Sequence, residues 1–435
     1  MYFLKIQYFL PKRQNLEGFL PIFTPQTNKM KYLNKPFELP NGSILPNRIA
    51  KSAMSENLAN SDHSASEQII RAYDTWAKGG VGLNITGNVM IDSRALNAPR
   101  NIVIEDRSHF DLLQKWAAVV KGTDSHLWVQ INHPGRQTTA SISKETVGPS
   151  AVPLNMKSAS FMFKEPTALT EEKIWDIIER FGNTALIVKD AGFTGVQIHG
   201  AHGYLVSQFL SPISNIREDK WGGSLENRVR FLIEVYNNIR AKVGADFPIG
   251  IKLNSADFQR GGFTEEESME VVKILSSLSI DLIEISGGTY EKAAMMGSEQ
   301  KESTQKREAY FMDYIKKVRK LTTRPLMLTG GFRTAAVMDN AIRDGELDII
   351  GLARPFSLYP DFPNQFFNNS LSKIELPIPK TGIKAIDKMG FVDLLWHEAQ
   401  IKRIGNGKSP DPNLSAFSGL ANNIGGTIKK MFFKK

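Results

Sequence analysis

Between residues 48 and about 356 the chain alternates short apolar runs with amphipathic stretches of helical period, and this alternation predicts a (β/α)8 barrel. Three observations carry the prediction. There are eight apolar runs, each short enough for a strand buried on both faces. Segments with apolar residues at 3.6-residue spacing lie between them. Glycines and polar residues collect at the carboxyl ends of the runs, where barrels and doubly wound sheets keep their functional groups. A Rossmann-type sheet is the alternative, weakened because no GxGxxG follows the first run.

In chain order the predicted strands are IAKSAMS, VGLNITGNVM, LWVQINH, TGVQIHG, PIGIKLN, DLIEISGG, PLMLTGG and LDIIGLARP. The helices between them read SEQIIRAYDTWAKG, FDLLQKWAAVVKG, EEKIWDIIERFGNTALIVKDAG, ENRVRFLIEVYNNIRAKVG, EEESMEVVKILSSL, EAYFMDYIKKVRKL and RTAAVMDNAIRDG. Thr170 before Glu171-Glu172, and Thr264 before Glu265-Glu266-Glu267, set a capping hydroxyl ahead of acids in a first turn. Two connections are long. Residues 134–169 include Phe161–Phe163 as a candidate lid, and residues 287–306 are rich in Gly, Met, Lys and Ser, with Met295 and Met296 as candidate pocket or packing residues.

The expected organisation is an extension over residues 1–30 that is dispensable, a barrel over 31–365, and a tail over 366–435. One amphipathic stretch of the tail, FVDLLWHEAQIKRIG, should pack outside the barrel or on a neighbouring subunit, so a homo-oligomer is left open. The extension is apolar and basic, but Pro11 and Pro21 interrupt it and no small-residue cleavage site follows a long apolar run, so no secretory signal is expected. No stretch of 18 apolar residues occurs, so no transmembrane helix is predicted. The expected location is the cytoplasm.

The 435 residues contain no cysteine, which excludes thiolate catalysis, disulfides and cysteine-ligated clusters. The net charge of +9 arises from 54 basic and 45 acidic residues, with Lys429, Lys430, Lys434 and Lys435 closing the chain. No aromatic-interleaved basic patch accompanies the charge, so nucleic acid is not an expected partner.

At the end of the seventh strand stand Gly330 and Gly331, and at the end of the eighth Ala353 and Arg354. Glycines let backbone N–H groups approach an oxyanion, and Arg354 adds a forked cation, so these two neighbouring turns suit one phosphate. Other strand ends supply Ser55, Asn88, Gln130 and Lys252. An amide such as Gln130 can both donate to and accept from a pyrimidine edge, and Lys252 would stabilise negative charge developing on such a ring. Together with the phosphate turns they suggest flavin mononucleotide (FMN). The stretch GVQIHGAHGY sets His199, His202 and Tyr204 at the end of the fourth strand. The i, i+3 spacing of the histidines, broken by Gly-Ala, is not the helical i, i+4 pair of a zincin. A metal-dependent hydrolase barrel remains an alternative. So does a flavin-binding protein without turnover.

The segments NRIAKSAMSE, GVGLNITGNV, WVQINHPGRQ, GVQIHGAHGYLVSQFLSPISNIREDKWGGSLENRVRF, LTGGFRT and IIGLARPF make the chain resemble the Old Yellow Enzyme family, FMN-dependent NAD(P)H oxidoreductases and ene-reductases, across roughly residues 33–365. The resemblance implies FMN at the barrel mouth, its phosphate held by Gly330, Gly331, Ala353 and Arg354. Its ring would lie near Ala53, Met54, Ser55, Asn88, Gln130 and Lys252. It implies that His199 and His202 bond the oxygen of an enone-like substrate, that Tyr204 is the proton donor, and that NADH or NADPH gives the hydride. Ser55 stands where many relatives carry Thr or Cys, Ala53 where many have Pro, and Lys252 where many have Arg, so a hydroxyl and a cation persist. His133 is expected to order its loop, and Arg217, Asp219, Asn227 and Arg228 to pin the loop after the fourth strand.

Overall fold

In the computed structural model, which describes residues 30–143, 145–155, 163–288, 311–387 and 391–424, eight parallel strands close into a barrel in sequence order. They are β1 (Ile49–Lys51), β2 (Leu83–Met90), β3 (His126–Asn132), β4 (Gly195–Gly200), β5 (Ile249–Asn254), β6 (Leu282–Ser286), β7 (Leu326–Thr329) and β8 (Ile349–Leu352). The outer layer comprises α1 (Glu67–Lys78), α2 (Phe110–Ala117), α3 (Glu171–Ala191), the short α4 (Leu205–Leu210), α5 (Leu225–Val243), α6 (Glu265–Ser277), α7 (Met312–Arg319) and α8 (Ala335–Arg343). After β8 come α9 (Pro355–Leu358), α10 (Phe362–Phe367), α11 (Phe391–Gly405) and α12 (Ala416–Ile424). The expected (β/α)8 architecture is what the chain adopts.

Helix starts follow the capping chemistry in the sequence. Thr170 Oγ1 accepts the Lys173 N–H at the start of α3, and Thr264 with Glu267 forms a reciprocal capping box at α6. Gly192, at φ +97°, ends α3 in the left-handed conformation that costs glycine least.

The lumen is built in layers along the strands, because inward-facing residues recur every second position. Its lower layer is apolar and includes Ala50, Leu83, Trp128, Leu282, Met327 and Ile349, closed below by Leu39 and Leu45 around the hairpin that precedes the barrel. Gly195 and Gly250 are required here by close approach: a Cβ on either would stand 2.5–2.8 Å from the Trp128 ring. Two residues further along the strands, the buried polar residues Ser52, Gln130, Gln197, Lys252, Glu284 and Thr329 replace the apolar side chains. The main apolar core lies between strands and helices, and each fully buried aliphatic or Phe side chain contributes about 1.5–3 kcal/mol there.

The FVDLLWHEAQIKRIG segment is α11 and packs on the barrel's own α1 and α9. Gln68 Nε2 donates to Asn406 Oδ1 just beyond it. The 134–169 connection carries a two-stranded pairing of Val147–Gly148 with Thr167–Ala168, and Thr139 bridges to Phe163. Residues 1–29, Phe161, Met162, Met295, Met296 and the four C-terminal lysines lie outside the described residues. Among the described residues no helix is long and apolar enough to cross a membrane.

Candidate functional site

The buried strand β4 ends at Gly200, and the chain then turns sharply. His202 has φ +60° and Gly203 φ +76°, a left-handed step that carries an L-residue only under local strain. The step is held from both sides. The His202 backbone N–H donates to Asn254 Oδ1 at 3.1 Å, and its Nε2 lies 2.7 Å from Ser286 Oγ. Asn254 and Ser286 are the terminal residues of β5 and β6, so two neighbouring strands place one imidazole.

His199, the next-to-last residue of β4, meets His202 edge to face with ring centroids 5.2 Å apart, and meets Tyr204 at 4.7 Å. The Ala201 N–H donates to His199 Nδ1 at 3.3 Å, which leaves the proton of the neutral ring on Nε2. Both imidazoles are neutral near pH 7. Burial, followed by the neighbouring His202 and Lys252, holds His199 well below the ordinary range. Burial and Lys252 lower His202 to about 3. Each is therefore a neutral hydrogen-bonding group.

Tyr204, at the start of α4, is almost fully buried, and its hydroxyl accepts the Asn97 Nδ2–H at 2.6 Å. Asn97 sits in the loop after β2 and in turn accepts from Asn88 at 3.4 Å. Asn88 thus reaches the Tyr204 hydroxyl through Asn97. Asn97 lies outside every strand and helix, in a segment with no motif of its own, which is why sequence reasoning passed over it.

Gln130 and Lys252 belong to one network across the lumen. Gln130 Nε2 donates to Gln197 Oε1 at 2.8 Å, and Gln197 Nε2 donates to Glu284 Oε2 at 2.7 Å. The other Glu284 oxygen takes the Thr329 hydroxyl at 2.7 Å and stands 3.0 Å from Lys252 Nζ. Ser52 bonds Thr329 at 2.6 Å. Lys252, expected to stabilise negative charge developing on a ring, shares its charge with a carboxylate that is fully out of solvent. Gln197 and Glu284 were legible in principle as polar residues inside otherwise apolar strands.

At the opposite side of the mouth, Gly330 and Gly331 have φ +138° and +86°. The backbone N–H groups of Gly331, Ala353 and Arg354 meet no backbone carbonyl among the described residues. The Arg354 guanidinium, about one-third exposed, donates through Nη1 to Asp393 Oδ2 at 3.0 Å. Uncommitted N–H groups beside a partly exposed guanidinium form a donor set suited to a phosphate. Ala53, Met54 and Ser55, all partly buried, follow β1 between β8 and β2.

The supporting residues also fall into place. His133 Nδ1 accepts the Gly135 N–H at 3.1 Å, a loop-ordering contact. Arg217 pairs with Asp219 and donates to the carbonyls of Pro149 and Leu169, while Arg228 pairs with Glu267 of α6. The Asn227 N–H donates to the Ser224 hydroxyl, which caps α5, and Asn227 Oδ1 accepts from Arg230 at 3.2 Å. Among the described residues no three His, Asp or Glu side chains converge as metal ligands.

A closed parallel barrel with uncommitted backbone donors and a guanidinium at the ends of β7 and β8, a polar lumen and neutral imidazoles at its mouth suits the class of the flavin nucleotide oxidoreductases. Residues 32–370 match the NADH:flavin oxidoreductase / NADH oxidase family. An NADH-dependent flavin oxidoreductase (nadA) of Aspergillus parasiticus is 35% identical over 379 residues, covering 84% of this chain and 83% of that protein. The structure of a 2-naphthoyl-CoA reductase superposes with a TM-score of 0.73 at 28% identity, over 78% of this chain and 52% of that one. That of an Old Yellow Enzyme homologue from Zymomonas mobilis gives 0.66 at 24% identity, over 81% and 95%. The chain belongs to this NADH:flavin oxidoreductase / NADH oxidase family. It is an enzyme that uses FMN, with NADH or NADPH as hydride donor, and the donor set around Gly331, Ala353 and Arg354 fits that cofactor's phosphate.

Proposed function

We propose that the protein reduces activated alkenes, enones or similar compounds, with hydride taken from NADH or NADPH in a ping-pong cycle. The observation that carries the reading is the cluster at the end of β4: two neutral imidazoles and a tyrosine in mutual contact, with Asn97 on the tyrosine hydroxyl. FMN, when bound, supplies the two-electron relay between the nicotinamide and the acceptor. Gly330, Gly331, Ala353 and Arg354 would hold its phosphate. Ala53, Met54, Ser55, Asn88, Gln130 and Lys252 would surround its ring.

His199 donates Nε2–H to the substrate carbonyl. With the Ser286 hydroxyl donating to Nε2 of His202, Nδ1–H of that ring is the second donor. Two such bonds draw electron density from the alkene and make its β-carbon electrophilic. Tyr204 gives its proton to the α-carbon, and the Asn97 N–H stabilises the phenolate left behind. Neutral rings suit this task because they donate without carrying a charge into a buried site.

The test separates the two half-reactions. In stopped flow Tyr204→Phe should leave reduction by NAD(P)H within about twofold of the parent and slow enone reduction about 100-fold or more, the usual range for a lost proton donor. Equal slowing of both halves contradicts the role. The reading also takes the barrel over residues 31–365 as the catalytic unit, residues 1–30 as dispensable, and the cytoplasm as the place of action.

A further inference from the structure

Beyond the matched residues 32–370, α11 packs against α9, the short helix that follows Arg354. Polar contacts close a ring between the two. Arg354 Nη1 donates to Asp393 Oδ2 at 3.0 Å, and Asp393 Oδ1 stands 3.5 Å from Nε2 of His397, one turn further along α11. His397 Nδ1 lies 2.6 Å from Ser357 Oγ, which lies 2.9 Å from the Arg354 carbonyl oxygen. The ring begins and ends on Arg354. Ser357 and His397 within it are buried.

The helix is itself fixed where it presents Asp393. Trp396 Nε1 donates to the Leu414 carbonyl at 2.8 Å, and the Gln400 amide exchanges two hydrogen bonds with the Asp411 backbone, at 2.6 and 2.9 Å. Both side chains are buried. A carboxylate engaged on both oxygens and carried by an anchored helix sets the place of a guanidinium rather than following it. The pair is partly exposed, and such a pair adds little to stability, so its position at the end of β8 is better accounted for by what it does to Arg354. Asp393 uses one of the five N–H donors of the guanidinium. Nε and Nη2, a forked edge suited to phosphate, donate to no group among the described residues.

We infer that Asp393 is a positioning residue for the flavin phosphate: it holds the Arg354 guanidinium so that the free edge and the backbone N–H groups of Gly331, Ala353 and Arg354 serve one anion. The inference rests on the reading that Arg354 holds that phosphate. It makes a helix beyond residue 370 part of the cofactor site. An arginine side chain has much rotamer freedom, and a ligand that finds it already placed does not have to quench it. The opposing effect is charge, since a carboxylate beside the guanidinium takes up part of the attraction an anion would feel. Orientation prevails because Asp393 engages a single nitrogen and leaves the forked edge clear.

The experiment measures flavin binding by the full-length chain freed of flavin, through quenching of flavin fluorescence, with FMN and with riboflavin, which lacks the phosphate. Asp393→Ala should weaken FMN about 5-fold or more and leave riboflavin within about twofold of the parent. Arg354→Gln should weaken FMN about 10-fold or more with the same selectivity. The double variant should bind FMN no more weakly than Arg354→Gln alone, because Asp393 acts through the guanidinium. Parental or tighter FMN binding by Asp393→Ala overturns the inference, the tighter case meaning that charge outweighs orientation. So does an equal loss of FMN and riboflavin, the mark of a helix that only props the barrel. If Arg354→Gln itself keeps parental FMN affinity, the phosphate reading fails and the inference falls with it. Should Asp393→Ala not fold, the isosteric Asp393→Asn decides by the same comparison: a loss confined to FMN upholds the inference, and parental FMN affinity overturns it.

Discussion

Replacing Glu284 by Gln probes the polar layer of the lumen at its centre. The side chain is fully buried, and three donors converge on its two oxygens: Lys252 at 3.0 Å, Thr329 at 2.7 Å and Gln197 at 2.7 Å. Glutamine has nearly the same volume, so no cavity opens and the packing contribution to the change is small. It offers one oxygen and an NH2 group, so at least one of the three donors must face another donor. The Lys252 ammonium also loses its counter-charge. Removing one member of a buried ion pair costs about 3–5 kcal/mol, since the other charge is left without compensation. Against a total stability of about 5–15 kcal/mol that is a large fraction. The assay is urea unfolding at a fixed excess of FMN, because the bound cofactor adds its own stabilisation. Glu284→Gln should fall short of the parent by about 3–5 kcal/mol. The double change Lys252→Met with Glu284→Leu should lose less than the two single changes summed, since it removes both charges together. A Glu284→Gln protein within about 1 kcal/mol of the parent would falsify the account of the lumen as a charge-paired network.

Two further outcomes follow from the imidazoles. For a phenolate bound at the site, His202→Asn keeps a donor and should change affinity modestly, whereas His202→Leu should weaken it about 5–150-fold, the equivalent of about 1–3 kcal/mol for an unmatched polar group. Absorbance titration reads both, and activity abolished by EDTA and restored by zinc would contradict hydrogen bonding as the role of the pair. Because His202 is lowered to about 3, His133 to about 4 and His199 well below its ordinary value, the unfolded chain binds more protons than the folded one below about pH 6.5. Stability should therefore be complete above that pH and decline as pH falls toward 4, by roughly 1.4 kcal/mol per pH unit for each histidine. Urea midpoints at pH 7.5 and 5.5 measure it; His202→Asn should flatten the slope, and a midpoint independent of pH would contradict the burial of these rings.

The barrel was legible in the sequence because its signals are local. A buried parallel strand must be apolar on both faces and a covering helix on one stripe, so the alternation from Ile49 to Leu352 can be read without knowing any contact. The same holds for the caps at Thr170 and Thr264, and for α11, whose range matches the predicted amphipathic stretch. The residues at strand ends, His199, Lys252, Gly330 and Gly331, could be named as candidates, since in this fold the carboxyl end of a strand opens to the mouth.

What those residues meet was decided only by closure of the barrel. Lys252 and Glu284 are 32 positions apart in the chain, yet adjacent strands in register bring them to 3.0 Å, so a cation read from the sequence became half of a neutralised pair. Asn97 and Tyr204 are separated by 107 positions and Arg354 and Asp393 by 39, and neither partner marks the other by periodicity or spacing. α5 begins at Leu225, one residue before the predicted stretch, so its cap is Ser224. Whether α11 would lie on this barrel or on another copy was equally invisible, since an amphipathic stripe records that a face must be covered but not by what. The local pattern determines which face of each element is buried. Long-range register determines which charges and hydrogen-bonding groups share the space that burial encloses, and hence what their protons do.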